Sequence, residues 1–499
     1  MKYFYGLLFA VIINLVLPTT LFGQNEFDEW KKKEQEKFKK FADEDDKKFH
    51  DFLKKDWATK KVLEGLKDDT KPKPIAPPVL KKVDPPTEAK PKPQPRKETT
   101  PAEVPEVKPQ PAPEPEAERR EPPVPPLPQS VAVSFDFYGT EVSVDQPNDF
   151  KPPLLSGKVS KNSIADFWSS VSTQKYAGLI SGMQKAKENQ KLNDWAYANY
   201  IYSYAKKVYK DKRDEPFLLT WFILLRSGYD ARIAYSDAKV YLLIATSNRM
   251  FGRAFFAIGQ NAEKYYVFDE ADFKGNKPAE LTTYEGSHPD AKNKFDFAVN
   301  PLPDLGSSYA NKDVKFAYRG TQYKISIAHN SKLVAFYKDY PQVNYSVYLN
   351  TALTGRAQES LLSALRPLLK DMNDIDKADF LLHFVQDATQ YKTDQEQFGR
   401  EKPLFAEESL HYDFTDCEDR SILYSYLIRK LTGLKIVILD YPGHIATAVK
   451  FEGIRAGDYV SFDNSNWLVC DPTYLGADIG MCMPDLKKVN PEIIEITGN

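Results

Sequence analysis

The chain has 499 residues and a formal net charge of −2, with basic and acidic residues interleaved along its length. This balance gives no basic footprint for nucleic acid, so that class of partner is excluded. The length allows two or three domains, and the unusual features of the composition are 36 prolines and only three cysteines.

Residues 1–23 have the pattern of a secretory signal peptide. One lysine precedes an apolar run from Tyr3 to Leu17, and small residues close the segment at Gly23. The run is short for a bilayer span, which disfavours the alternative of an uncleaved anchor. The sequence therefore predicts an extracytoplasmic protein that is periplasmic, secreted or associated with the cell envelope.

Residues 24–70 are predicted to form an amphipathic helical segment, because aromatic side chains recur there every eleven residues. Eleven residues make about three helical turns, so each aromatic series keeps to one stripe of the helix. The two series are Phe27, Phe38 and Phe49, and Trp30, Phe41 and Phe52. Such a stripe can dock on a partner, on a second copy of the chain or on the envelope, or it can pack on the main body. The sequence leaves this choice open.

A Pro-rich segment follows, because residues 71–128 hold 20 of the prolines. Proline fixes φ and lacks an N–H group, so residues 71–129 are predicted to be a disordered, extended linker. We interpret it as a spacer between the helix and the globular part. A ligand for a proline-recognising domain is the less favoured alternative.

The globular part is predicted to contain an internal duplication, with domains at 130–302 and 303–499. Five landmarks occur in the same order in both halves, and the second half has extra residues before its third landmark. The pairs are Gly139 with Gly320, Tyr209 with Tyr391, Gly228 with Gly433, Leu243 with His444, and Asp269 with Asp471.

The stretch YDFTDCEDRSILYSYLIRKLTG, residues 412–433, places Cys417 at the start of a predicted helix that stops at Gly433. Unpaired N–H groups and the helix dipole favour a thiolate at such a position. Asp416 and Asp419 oppose it electrostatically, so a neighbouring base is needed.

Two later residues can complete a catalytic group. Strands are predicted at 435–441, 444–451 and 467–474, with His444 opening the second and Asp471 near the end of the third. An imidazole can take the thiol proton and return it to a leaving amine. If the last two strands pair antiparallel, Asp471 lies beside His444 and orients it through Nδ1–H.

Each of these residues also has a structural explanation, since a secreted cysteine is often in a disulfide, a strand-opening histidine is often structural, and Asp-Pro often forms a turn. The first half has no cysteine, and Leu243 matches His444 there. This asymmetry favours chemistry in the second half.

The arrangement resembles the transglutaminase-like superfamily, in DCEDRSILYSYLIRKLTGLK, GHIATAVKF and WLVCDPTY. The resemblance implies an α+β fold with a papain-like core and an antiparallel sheet, in two tandem copies of which the first is degenerate. It implies a triad of Cys417, His444 and Asp471. No glutamine directly precedes the cysteine, so Tyr391 and Gln397 are candidate side-chain donors to the oxyanion.

The favoured function is a cysteine hydrolase or acyltransferase that acts on a peptide, protein or other amide through a thioester. Hydrolysis is preferred to amine transfer, and neither a cofactor nor a metal is predicted. A non-catalytic, envelope-associated binding or scaffold protein is the alternative.

The two remaining cysteines are predicted to form a bridge. Cys470 and Cys482 flank a turn that could bring them together, which would leave Cys417 as the unpaired thiol. Burial of Cys470 as a free thiol is the alternative.

Overall fold

The structure is a computed structural model that describes residues 44–63, 130–259, 261–276, 278–453 and 456–496. The predicted signal peptide, the Pro-rich linker and residues 24–43 and 64–70 of the predicted helical segment lie outside this range. Within the described residues, no helix combines the length and apolar character that crossing a bilayer requires.

The described N-terminal part corrects the prediction of one continuous helical segment. Residues 44–53 form helix α1, but strand β1 follows at Trp57–Lys61. Phe49 is buried and packs against Trp168 with ring centroids 4.8 Å apart. The structure therefore shows that this part of the aromatic stripe packs on the main body.

The first half continues with two further strands, five helices and the remaining strands of a sheet. These elements are β2 (Ser130–Phe137), β3 (Thr140–Pro147), α2 (Lys161–Ser172), α3 (Ala177–Asn189), α4 (Asp194–Tyr209), α5 (Asp214–Arg226), β4 (Ala231–Ser236), β5 (Lys239–Ala245), β6 (Phe255–Ile258), β7 (Glu263–Val267), α6 (Glu270–Asn276) and β8 (Glu280–Tyr284).

The first sheet has the order β1-β8-β4-β5-β7-β6, with antiparallel neighbours throughout. Leu63 and Phe255 exchange two backbone hydrogen bonds, each 3.0 Å long, which joins the chain after β1 to the opposite edge strand. The described residues on the two sides of the predicted linker, up to Leu63 and from Ser130 onward, thus pack in one body. The predicted linker therefore connects two parts of one packed body, and its interpretation as a spacer ahead of the globular part is wrong.

The second half also contains a hairpin, helices and a sheet, together with several short elements. These elements are β9 (Tyr309–Tyr318), β10 (Thr321–Asn330), α7 (Ser331–Lys338), α8 (Tyr345–Leu349), α9 (Gly355–Leu369), α10 (Asp374–Ala388), β11 (Gln390–Tyr391), α11 (Asp394–Phe398), α12 (Ala406–His411), β12 (Phe414–Thr415), α13 (Cys417–Leu431), β13 (Lys435–Tyr441), β14 (His444–Lys450), β15 (Tyr459–Phe462), β16 (Ser465–Cys470), a 3₁₀ turn (Pro484–Leu486) and β17 (Glu492–Glu495).

The second sheet has the order β15-β16-β14-β13-β17, and its neighbours are also antiparallel. The molecule is therefore an α+β protein with antiparallel sheets. In both sheets a helix leads through a glycine with positive φ into a hairpin; these glycines are Gly228 at +89° and Gly433 at +71°.

The two hairpins correct one of the matched landmarks. His444 is the first residue of β14, the second strand of its hairpin, whereas β5, the second strand of the hairpin in the first half, begins with Lys239. Leu243 lies four residues further on, in the middle of β5, where it faces Arg232. The match of Leu243 to His444 is therefore wrong in register.

Helix α13 forms because its apolar residues recur at helical spacing and basic residues occupy its last turn. It packs on one face of the second sheet, where Ile436, Ile438 and Cys470 belong to the main core. Val437 and Leu439 alternate with them and face a separate apolar cluster.

That separate cluster contains Cys482, so Cys470 and Cys482 belong to apolar clusters on opposite faces of the sheet. All three cysteines are free and buried. The predicted bridge between Cys470 and Cys482 is wrong because the sheet separates the two thiols. Burial raises the pKa of Cys470 to about 12, as expected for a thiol inside a core.

Candidate active site

The structure places Cys417 as the first residue of α13, directly after Asp416 in extended conformation. The side chain is 1% exposed. The first-turn N–H groups of a helix lack intrahelical partners and carry the positive end of the dipole, which favours an anion at this position. The predicted location at the helix N-terminus is confirmed.

Glu418 is a neighbour of the sulfur that sequence reasoning missed. The thiol of Cys417 donates a hydrogen bond to Oε2 of Glu418 over 3.1 Å, and both residues are buried. Glu418 directly follows the cysteine in the sequence. The direction of its side chain could not be predicted from the sequence, because a glutamate in the first turn of a helix usually points to solvent. The thiol is thus next to a carboxylate as well as to the helix end.

The structure brings His444 and Asp471 together as predicted. β14 and β16 pair antiparallel, with Thr447 opposite Cys470, and this register places Asp471 beside the start of β14. Nε2 of His444 lies 2.8 Å from Oδ2 of Asp471, and both side chains are almost fully buried. The contacting nitrogen is Nε2, not the predicted Nδ1, so the ring presents its other nitrogen away from the carboxylate.

Two influences compete for the charge of His444. Burial lowers the pKa of the imidazole, but the charge of Asp471, its hydrogen bond and the charge of Glu418 together raise it above the usual value. A raised pKa means that the imidazole holds an accepted proton more firmly than a free histidine does.

Backbone and side-chain groups fix the carboxylate of Asp471. Its Oδ1 accepts hydrogen bonds from the N–H groups of Thr473 at 2.9 Å and Tyr474 at 3.2 Å. The buried side chain of Gln386 on α10 donates to the carbonyls of Tyr474 and Ala477. The loop that carries Asp471 is thus held at both its carboxylate and its backbone.

Helix α13 and strand β14 meet close to the candidate residues. Ser421, one helical turn after Cys417, donates a hydrogen bond from Oγ to the carbonyl of Ile445 over 3.3 Å. Ile445 is the neighbour of His444. Together with the influence of Glu418 on the imidazole, this contact places the first turns of α13 and the start of β14 in one buried corner.

Tyr391 and Arg420 lie beside the same corner. Tyr391 pairs with Thr415, two residues before the cysteine. Burial raises the pKa of the Tyr391 phenol, and the charges of Cys417, Asp416 and Glu418 raise it further, so the hydroxyl stays protonated and can donate.

Arg420 holds the two short strands that flank the site. Its Nε donates to Oγ1 of Thr415 over 3.2 Å, and its Nη2 donates to the carbonyl of Thr389 over 2.9 Å. The candidate donor Gln397 is half-buried in α11, and among the described residues no side-chain hydrogen bond joins it to this corner.

Residues 392–405, the cover segment, pack against the start of α13. Asp419 accepts a hydrogen bond from the N–H of Leu404 over 2.7 Å, and Asp394 accepts one from the N–H of Lys402 over 2.6 Å. Lys402 also forms a buried ion pair with Glu408, with Nζ and Oε1 2.6 Å apart.

The acidic side chains of this corner are close enough to offer ligand atoms to a cation. In each of three groups the possible ligand atoms lie within 4.8 Å of one another; the groups are Asp416, Cys417 and Glu418; Asp394, Asp416 and Asp419; and Asp394, Glu401 and Glu418. The oxygens of Asp419 and one oxygen of Asp394 already accept backbone N–H groups. The cluster is therefore at least partly structural.

The candidate residues are enclosed in this conformation. Cys417, His444 and Asp471 are at most 4% exposed. A cavity of about 550 Å³ opens near Asn373 and Phe451, and one of about 420 Å³ opens near Lys212 at the start of α5. Neither cavity is lined by the candidate residues.

No family model matches the chain, and neither a curated protein nor a solved structure matches it. The resemblance to the transglutaminase-like superfamily thus depends on the chain's own residues and their arrangement.

Proposed function

We propose that this protein is a cysteine hydrolase that cleaves peptide or other amide bonds through a thioester on Cys417. The observation that carries the proposal is the buried hydrogen bond of 2.8 Å between His444 and Asp471, beside the helix that begins with Cys417. A nucleophile, a base and a group that orients the base are the parts such a reaction needs.

The reaction proceeds in two balanced steps. His444 takes the proton of Cys417 while the sulfur attacks the carbonyl carbon, and the imidazolium then gives that proton to the departing amine. Water attacks the thioester, its proton passes through His444 to the sulfur, and the acid is released. The backbone N–H of Cys417 and the hydroxyl of Tyr391 are the donors suited to the oxyanion.

We further propose that the two halves are tandem copies of a transglutaminase-like, papain-like core. The shared strand order, and the glycine between helix and hairpin in both halves, support this. Counted from the two glycines, Cys417 corresponds to Lys212 and His444 to Lys239. The first half then lacks a nucleophile and a base, which makes it the degenerate copy.

The signal-peptide pattern supports action outside the cytoplasm, on a peptide or protein substrate. The predicted helical segment before α1 is proposed to bind an envelope or protein partner. Amine transfer instead of hydrolysis uses the same thioester, since an amine replaces water in the second step.

A non-catalytic binding or scaffold protein is the second candidate. The enclosure of Cys417 favours it, because a substrate cannot reach a side chain that is 1% exposed unless part of the surrounding structure moves. The two candidates differ in whether Cys417 forms an acyl adduct.

The experiment is acylation by 4-nitrophenyl acetate, whose leaving group needs no protonation. The proposal expects an acetyl group on the peptide that contains Cys417, with release of 4-nitrophenolate, and loss of both in Cys417→Ser. Acetylation of Cys470 or Cys482 alone, or none, would support the scaffold protein.

A further inference from the structure

We propose that Glu418 is a further residue of the catalytic centre, which restrains Cys417 by holding its proton on the sulfur. The inference rests on the proposed function, since it concerns the same nucleophile. The N-terminus of α13 favours the thiolate of Cys417, whereas Glu418, the second residue of that helix, favours the neutral thiol.

The proposal is based on the contact between the side chains of Cys417 and Glu418. Sγ of Cys417 donates to Oε2 of Glu418 over 3.1 Å, and Glu418 is fully buried. A hydrogen bond to a carboxylate stabilises the neutral thiol, and the same carboxylate repels a thiolate at this distance. Both effects keep the proton on the sulfur.

The groups around Glu418 strengthen this restraint from the covering side. Oxygens of Asp394 and Glu401, both in the cover segment, lie within 4.8 Å of a Glu418 oxygen. Asp416, the residue before the cysteine, also lies within this distance of both Cys417 and Glu418. These carboxylates add negative charge near the sulfur.

Two basic groups act in the opposite direction. His444 senses the charge of Glu418, which helps to raise the pKa of the imidazole. Arg420 lies near Asp416 and Asp419. Burial lowers the pKa of its guanidinium, and the charges of these two carboxylates act to raise it. The phenol of Tyr391 also senses Glu418 but stays neutral. The state of the thiol thus depends on a balance between Glu418 and His444.

Replacing the carboxylate by an amide separates restraint from packing, because Glu418→Gln keeps the size of the side chain and removes its charge. The rate of Cys417 alkylation by iodoacetamide is measured from about pH 5 to pH 10, with peptide mapping of the label. We expect the midpoint of this profile to fall by at least one unit in Glu418→Gln, which is about a tenfold faster reaction at pH 6.

Two variants serve as comparisons. Glu418→Asp retains the charge and is expected to stay as slow as the wild type at pH 6. Glu452→Gln removes an exposed carboxylate outside the site and is expected to leave the profile unchanged. A structural role of Glu418 would change the unfolding midpoint but not the pH midpoint of alkylation.

An unchanged or slower reaction of folded Glu418→Gln overturns the inference. If that variant does not fold, the protonation of Cys417 is tested in the wild type by its S–H stretching band. The band is assigned by subtracting the spectrum of Cys417→Ser from that of the wild type. A band that persists at pH 7.5 and is shifted by hydrogen bonding supports the restraint, and its absence overturns it. Failure of the proposed function is distinct, because it appears as missing acetylation of the wild-type Cys417.

Discussion

The carboxylate of Asp419 accepts hydrogen bonds from the backbone N–H of Leu404 at 2.7 Å and of Asp416 at 3.2 Å. One side chain thus joins the cover segment to the residue that precedes the nucleophile. The cover segment and the start of α13 are therefore expected to loosen together.

We expect Asp419→Ala to destabilise the protein by about 1–3 kcal/mol for each buried N–H that loses its acceptor. Urea unfolding measures the loss, and hydrogen exchange at Leu404 locates it. Glu359→Ala, which removes an exposed carboxylate on α9, is the matched control and should change neither. Equal exchange at Leu404 in both variants would contradict the bracing role of Asp419.

The pair of His444 and Asp471 makes stability depend on pH in a defined direction. The pKa of His444 is raised in the folded protein, so the pair stabilises fully below the unfolded value near 6.5 and less as pH rises through the folded value. Asp471→Asn keeps an acceptor for the N–H groups of the turn but removes the charge. Its cost in unfolding free energy should therefore be larger at pH 5.5 than at pH 9.5.

The other histidines titrate equally in both proteins, so the difference between wild type and Asp471→Asn isolates this pair. A cost that is the same at both pH values would mean that the charge of Asp471 does not act on His444.

Helix α1 is part of the core and not a detachable extension. Phe49 is 4% exposed and packs against Trp168 and Tyr284, with centroid distances of 4.8 Å and 5.9 Å. Phe49→Ala should cost about 3–5 kcal/mol, as for other buried aromatic truncations. Lys48→Ala on the exposed face should cost little. Equal denaturation midpoints for the two variants would refute the core role of Phe49.

The three thiols should all be free in the purified protein. Titration of the denatured, unreduced chain is expected to give three thiols per chain, and non-reducing peptide mapping is expected to show no linked peptides. A bridge between Cys470 and Cys482 would require a different arrangement of β16 and the turn after it.

Local patterns predicted the elements that carry the candidate site. Helical spacing and Gly433 gave α13 within a few residues, and the turn at Pro442 and Gly443 gave β13 and β14. The antiparallel pairing that brings Asp471 to His444 was a condition of the predicted triad, and the pairing of β14 with β16 meets it.

Non-local contacts and side-chain directions could not be read in the same way. Strand β1 forms because Trp57–Lys61 find a partner in β8, more than two hundred residues away, and no local pattern reports that partner. The nitrogen that His444 offers to Asp471 depends on ring orientation. The direction of the Glu418 side chain towards Cys417 likewise depends on how the side chain is buried.

The proposed reaction requires that His444 helps Cys417 to act as a nucleophile. Its most direct test is the rate of Cys417 acetylation by 4-nitrophenyl acetate at about pH 7.5, in the wild type and in folded His444→Ala. We predict an acetyl thioester on Cys417 that forms at least tenfold more slowly in the variant, roughly the effect of one pKa unit. An equal rate in the two proteins, or acetylation of residues other than Cys417, would contradict the proposed roles of Cys417 and His444.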